Sequence, residues 1–234
     1  MPDRWNLPDA GVLLDAAEDT LRPGGLGLTE YALECCNFPL GSSILDAGCG
    51  TAATARHLVK AGRFSAVGVD RSPTLLAEAR RLCPQVPLIC ADLERLPLAA
   101  ASFDGVVCEC VLSQTSGHEV ISELRRVLRP DGYLILTDLY RKTGGPAATS
   151  PMELLATREQ TVDLLEAAGF ETVLWEDRTA ELKQLALRLI MASGSSQGNL
   201  SGWSRQLRCL SEPAASAWWR GVGYHLIISR RNRT

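Results

Sequence analysis

The sequence predicts an α/β fold, a doubly wound and mostly parallel sheet of seven strands with helices on both faces, and three observations predict it. From Ser43 onward, short apolar runs alternate with amphipathic segments of helical period. That order yields parallel strands joined by right-handed helical crossovers. Ile44-Leu45-Asp46 runs through Ala47-Gly48-Cys49-Gly50-Thr51 into an alanine-rich stretch at 52–61, which reads as strand, tight turn and helix start. Acids also stand at or just after four successive apolar runs: Asp46, Asp70, Asp92 and Glu109.

Residues 1–42 precede the first strand and are expected to form a helical cap, with short helices at 9–19 and 29–38. Asp9 and Thr29 serve as their N-caps, and Arg22-Pro23-Gly24-Gly25-Leu26-Gly27 connects them. Residues 43–234 are expected to form the main domain. Its second strand covers 66–70, after which Ser72-Pro73 supplies an N-cap and a proline at the first helical position. The third strand covers 86–90 and the fourth 103–108. Ser116-x-x-Glu119 then reads as a capping box opening a helix that runs to residue 128. Asp131-Gly132 turns the chain into a fifth strand at 133–137. Thr157-x-x-Gln160 caps a further helix ending at Gly169, and the sixth and seventh strands cover 171–175 and 223–229.

Between those last two strands lies an insert at about 177–222. Leu182, Leu185, Ala186, Leu189 and Ile190 form a helical stripe in it, followed by a Gly/Ser-rich loop at 193–202 and by Trp218-Trp219. Residues 141–151, rich in Gly, Pro, Thr and Ser, are expected to form a lid after the fifth strand.

Composition narrows the function. The chain has 234 residues and a net charge of −3, with no basic block before Arg230, Arg231 and Arg233, so nucleic acid is not the expected partner. No N-terminal apolar core of a signal peptide and no run long enough to span a bilayer is present, and a soluble cytoplasmic protein is expected. Its eight cysteines (35, 36, 49, 83, 90, 108, 110 and 209) are then reduced, and none forms a C-x-x-C pair, so no metal site is assigned. Cys35-Cys36 with Cys108-x-Cys110 leaves a thiophilic pocket open as a reading, although buried cysteine as a small hydrophobe accounts for them more simply. His57, His118 and His225 are too scattered for a triad.

The glycine turn fits two nucleotide ligands. Gly48, Gly50 and Ala53 satisfy the G-x-G-x-x-G/A fingerprint of a dinucleotide pyrophosphate, and first-turn backbone N–H groups are expected to lie open there. Asp46 argues the other way, because a carboxylate at the strand end repels phosphate and suits a ligand carrying ammonium and sulfonium groups, such as S-adenosylmethionine. Helix capping is its alternative role. Asp70 follows Gly50 at the spacing from which an acid reaches a ribose diol, a role common to both ligands.

With these residues in place, the chain resembles class I S-adenosylmethionine-dependent methyltransferases of the type 11 group. Their first motif, D-x-G-x-G-x-G, reads here Asp46-Ala47-Gly48-Cys49-Gly50-Thr51-Ala52, with alanine in place of the third glycine and the helix start expected to shift slightly. Leu128-Arg129-Pro130-Asp131-Gly132 matches the turn before their fifth strand. The resemblance implies a Rossmann-like sheet with an antiparallel last strand. It also implies a cofactor set of Asp46, Gly48, Cys49, Gly50, Asp70, Arg71, Asp92, Leu93 and Cys108. Within that set Asp92 accepts from the adenine amino group, Leu93 packs on the ring and the Cys108 carbonyl receives the cofactor ammonium. Glu109 is the candidate general base, with an electrostatic clamp for a cationic substrate or a plain surface acid as its alternatives. The implied activity is methyl transfer from S-adenosylmethionine to a small or medium-sized acceptor, leaving S-adenosylhomocysteine. A catalytically silent subunit of the same fold and an NAD-dependent dehydrogenase are the other readings.

Overall fold

The computed structural model describes residues 20, 22–60, 62–142, 155–195 and 220–233, side chains of 189–195 excepted. A helix α1 (Gly25–Cys36) precedes a sheet built from β1 (Ser43–Ala47), β2 (Ser65–Asp70), β3 (Leu88–Cys90), β4 (Phe103–Glu109), β5 (Leu128–Arg141), β6 (Phe170–Asp177) and β7 (Val222–Arg231). Interleaved with these are α2 (Ala53–Lys60), α3 (Pro73–Leu82), α4 (His118–Val127), α5 (Arg158–Ala167) and α6 (Thr179–Ser195). The strand order is β3-β2-β1-β4-β5-β7-β6, with β7 antiparallel to both neighbours and the pairs from β3 through β5 parallel. This is the Rossmann-like arrangement with an antiparallel last strand.

Both faces of the sheet are covered, which is why its strands read as near-continuous apolar runs. Ile44, Val107, Ile135 and Ile228 point into a core shared with α1, α2 and α3. Their chain neighbours Leu45, Val106, Leu134 and Ile227 point to the opposite core beneath α4 and α5. Successive strand side chains alternate between faces, so one strand serves both cores.

Local signals decide several helix ends. Ser72 caps α3 by accepting from the Leu75 N–H, with Pro73 in the first turn. Thr157 and Gln160 form the expected reciprocal capping box, at 2.9 and 3.2 Å. The Ser116–Glu119 box does not cap α4; Gly117 stands at the N-cap with φ of 70° and no side-chain cap bond. Nor does Thr29 cap α1, which starts at Gly25 behind a left-handed Gly24, placing Thr29 one turn inside and buried. Burial of Leu28, Ala32 and Leu33 draws the poor helix former Gly25-Leu26-Gly27 into that helix.

The expected turn at Asp131-Gly132 is a bulge within a longer β5. Phe103 pairs with Leu128 and Gly105 with Tyr133, while Asp131 takes φ of 63°. In the insert, α6 buries Leu185 and Ala186 as the stripe predicts. The predicted helix at 9–19, most of the 141–151 lid, Cys209 and Trp218-Trp219 lie outside the described residues.

Candidate active site

Strand order reverses between β1 and β4, and ligands of doubly wound sheets bind beyond the strand ends at that point. The β1–β4 ladder ends at Asp46 opposite Val107, so Cys108 and Glu109 extend past the last rung into the crevice.

The glycine turn is wired inward. Gly48 and Cys49 both donate their N–H groups to the Val69 carbonyl, at 2.8 and 2.9 Å. The Gly50 N–H donates to Asp70 Oδ2 at 2.8 Å, and Asp70 Oδ1 accepts from the Ser72 N–H at the same distance. Asp46 lies buried beneath α2, where its Oδ2 accepts from the Ala55 N–H at 3.0 Å. Of the donors expected to lie open at the turn and helix start, those of Gly50 and Ala55 are already taken by carboxylates. Asp46 caps the helix, and burial reinforced by the nearby Glu109 pushes its carboxyl up to about 7.

The two glycines are needed for different reasons. A Cβ on Gly48 would stand 2.4 Å from Val111 Cγ2, whereas one on Gly50 would meet nothing within 4 Å, so open space lies beside Gly50. Ala52 keeps the left-handed conformation of the glycine it replaces, with φ of 60° and complete burial, and α2 starts one residue later at Ala53. A non-glycine residue held there costs about 1–2 kcal/mol.

The remaining predicted residues fall on either side of the crevice wall. Asp92 is exposed after β3 and accepts from the Glu94 N–H through Oδ1. Arg71 is exposed at the rim. Leu93 is buried in the α4-side core, so its side chain supports the wall from beneath. Cys108 is fully buried, and burial raises its thiol well above the ordinary range, which leaves the backbone as its route to a ligand.

Glu109 does not stand free. Its Oε1 accepts from Thr29 Oγ1 at 2.8 Å and its Oε2 from Thr54 Oγ1 at 2.9 Å, while Arg22 Nη2 pairs with Oε2 at 3.2 Å. The pair is largely shielded from solvent, with side-chain exposures of 12% for Arg22 and 6% for Glu109. Sequence reasoning missed Arg22, Thr29 and Thr54, since no local pattern links residues this distant in the chain.

Neighbours of Thr29 complete the attachment of α1. Glu30 pairs with His57 of α2, and Tyr31 donates to Glu176 of β6 at 2.8 Å beneath the Arg178 guanidinium. Three consecutive residues of α1 thus fasten it to three elements.

Near the end of β5, Tyr140 stacks on the buried His225 of β7 at 5.3 Å, with Trp175 of β6 edge-on to both. Burial takes the His225 ring down to about 4, so it is neutral. Cys110 Sγ lies 3.3 Å from Tyr224 Oη, and Cys35 is exposed beside Tyr31, so the structure does not gather the cysteines into one pocket. Among the described residues, no group of three or more His, Cys, Asp or Glu is placed to hold a metal, and no helix is long and apolar enough to cross a membrane.

Compared with known proteins, residues 45–136 match the family described as methyltransferase domain. The chain is 35% identical over 130 residues to the uncharacterized methyltransferase YodH of Bacillus subtilis, covering 54% of this chain and 55% of that one. It is 33% identical over 168 residues to the malonyl-[acyl-carrier protein] O-methyltransferase of Herminiimonas arsenicoxydans, covering 66% and 64%. The chain thus spans between about half and two thirds of the length of such relatives. Among solved structures, phosphoethanolamine N-methyltransferase 2 of Haemonchus contortus, in complex with S-adenosyl-L-methionine, aligns with a TM-score of 0.78 at 18% identity, over 95% of this chain and 56% of that one. The [4+2]-cyclase SpnF aligns with a TM-score of 0.78 at 22% identity, over 95% and 92%.

Proposed function

We propose that this chain, whose residues 45–136 match a methyltransferase domain, is a class I methyltransferase that transfers the methyl group of S-adenosylmethionine to a small or medium-sized acceptor. One observation carries the reading most directly. Carboxylates, Asp70 and Asp46, accept from the N–H groups of Gly50 in the turn and Ala55 in the first helical turn. Asp70 and Asp92, the half-exposed and exposed carboxylates at the ends of β2 and β3, disfavour a phosphate-bearing dinucleotide and favour a cationic adenosyl donor.

The residues present fit that cofactor. Asp70 stands at the end of β2 with both oxygens oriented by backbone donors, ready for a ribose diol beside the open space at Gly50. Asp92 supplies an exposed acceptor for an adenine amino group, and Arg71 flanks the ribose at the rim. Gly48 and Cys49 shape the turn, and the Cys108 carbonyl would receive the cofactor's ammonium. The cofactor, when bound, supplies a methyl group already activated by its sulfonium, so the protein's part is orientation and exclusion of water.

In this reading Glu109 is a charge clamp, because hydroxyls and a guanidinium already occupy both of its oxygens. A reducing compartment such as the cytoplasm suits a chain whose eight cysteines include no C-x-x-C pair. The relatives' names cover both O- and N-methyl transfer, and the acceptor atom is left unassigned.

Thermal-shift titration with S-adenosylmethionine, S-adenosylhomocysteine, NAD and NADP tests the proposal. The adenosyl compounds should stabilise the fold, by about 2.7 kcal/mol at a hundred times Kd, and the dinucleotides should not. Stabilisation by NAD or NADP alone would reverse it. SpnF shares the fold under the name of a cyclase, so release of radiolabelled methyl to an acceptor is the companion assay.

A further inference from the structure

Arginines crowd the end of the sheet opposite the crevice, and most of them meet an acid there. Arg126 donates to both oxygens of Glu123 and to the Leu96 and Leu98 carbonyls. Arg129 pairs with Asp104, Arg230 with Glu171 and Arg233 with Asp131. Arg231 differs. It donates through Nη1 to the Leu128 carbonyl, and the charge felt beside it is the like charge of Arg125. Burial, and after it that neighbouring guanidinium, lower Arg231 from its ordinary value.

Both side chains are half-buried, and they line one cleft of about 500 Å³ together with Ser122, Glu123, Arg126 and Ala168. Arg125 and Arg126 lie in the last turn of α4, Ala168 follows α5 and Arg231 ends the antiparallel β7. The cleft therefore lies beyond the amino ends of β4 and β5, apart from Asp46 and Asp70. Gly169 lets Arg125 lie across the turn after α5, since a Cβ there would stand 2.9 Å from Arg125 Nε. The lining carries three guanidiniums against one carboxylate, and the Glu123 oxygens are already on Arg126 and the Leu96 N–H. The excess is two positive charges. Like charges in one half-buried cleft repel, and a dianion between them replaces that repulsion with charge-assisted bonds.

We propose that this cleft binds the phosphate group of a small organic phosphate monoester, held by the forks of Arg125 and Arg231 and by the Ser122 hydroxyl. Such a phosphate carries a charge of roughly −1.5 to −2 at pH 7, which matches the excess. The planar guanidinium meets its oxygens two at a time. A cavity of this size falls among those that hold small organic molecules, so the rest of the ester has room beside its anion. The site is independent of the cofactor crevice and stands whatever that crevice binds.

Calorimetric titration of the full chain with glycerol phosphate and with inorganic phosphate, at constant ionic strength, tests the proposal. Both should bind, glycerol phosphate the more tightly, and Arg231→Gln should weaken each roughly 10- to 100-fold. Arg230→Gln removes an arginine paired with Glu171 at the same end of the sheet and should leave both affinities unchanged. No binding to wild type, equal losses in the two variants, or succinate binding as tightly as glycerol phosphate would overturn the proposal. Inorganic phosphate binding more tightly than the ester would also overturn it. Should Arg231→Gln fail to fold, amide shift mapping on the wild-type chain decides. Glycerol phosphate should move the signals of 122–126, 168 and 231, and movement confined to 48–50 would overturn the assignment.

Discussion

Asp46 and His225 are oppositely shifted buried groups, and together they predict a pH profile that neither would give alone. Asp46 is raised from 3.8 to about 7, chiefly by burial and then by Glu109, so its stabilisation is complete below the unfolded value and drains away as pH rises toward 7. A displacement of that size corresponds to about 4 kcal/mol. His225 is lowered by burial from 6.5 to about 4. Its stabilisation is complete above 6.5 and is lost as pH falls toward 4, on the order of 3 kcal/mol over that span. Between pH 4 and 6.5 the two slopes, each about 1.4 kcal/mol per pH unit, oppose one another.

Asp46→Asn removes the first slope while keeping an oxygen for the Ala55 N–H. Relative to wild type, this variant should grow steadily more sensitive to acid from pH 6.5 to 4 and should compare best above pH 7. His225→Phe removes the second slope and should do the reverse. Urea unfolding of the three proteins at half-unit steps from pH 4 to 9 measures both differences. Flat difference profiles would refute the claim that these side chains are buried in the forms described.

Gly48→Ala should destabilise by about 2–5 kcal/mol, from left-handed strain plus the Val111 overlap, while Gly50→Ala carries the strain alone at about 1–2 kcal/mol; denaturant midpoints compare them. Asp70→Ala should weaken S-adenosylmethionine binding roughly 10- to 100-fold in equilibrium dialysis, and unchanged binding would remove it from the site. Tyr224→Phe should cost about 1–3 kcal/mol by stranding the buried Thr137 hydroxyl, to which Tyr224 Oη donates at 2.8 Å, and thermal unfolding reads this directly.

The parts of the molecule written in local patterns were legible. Strand and helix order, the Thr157–Gln160 box and the acids at the strand ends follow from periodicity and from capping chemistry a few residues long. The details that escaped depend on distance in the chain. Thr29 looked like a helix cap because nothing beside it announces Glu109, eighty positions away. Glu109 looked like a free base for the same reason, since Arg22 and Thr54 reach it only once the sheet has formed. Ala52 was expected to join the helix by its propensity, but the turn around it, fixed by the Val69 carbonyl and Asp70, holds it in a glycine's conformation. Tertiary geometry overrides propensity there, beside the proposed cofactor site.

Diffraction from crystals grown with S-adenosylhomocysteine tests the central claim most directly. The claim is that carboxylates at the sheet's reversal point hold an adenosyl donor. The ribose hydroxyls should lie on Asp70, beside Gly50. An adenosyl group bound away from the ends of β1 and β2, or phosphate density seated on the glycine turn instead, would contradict it.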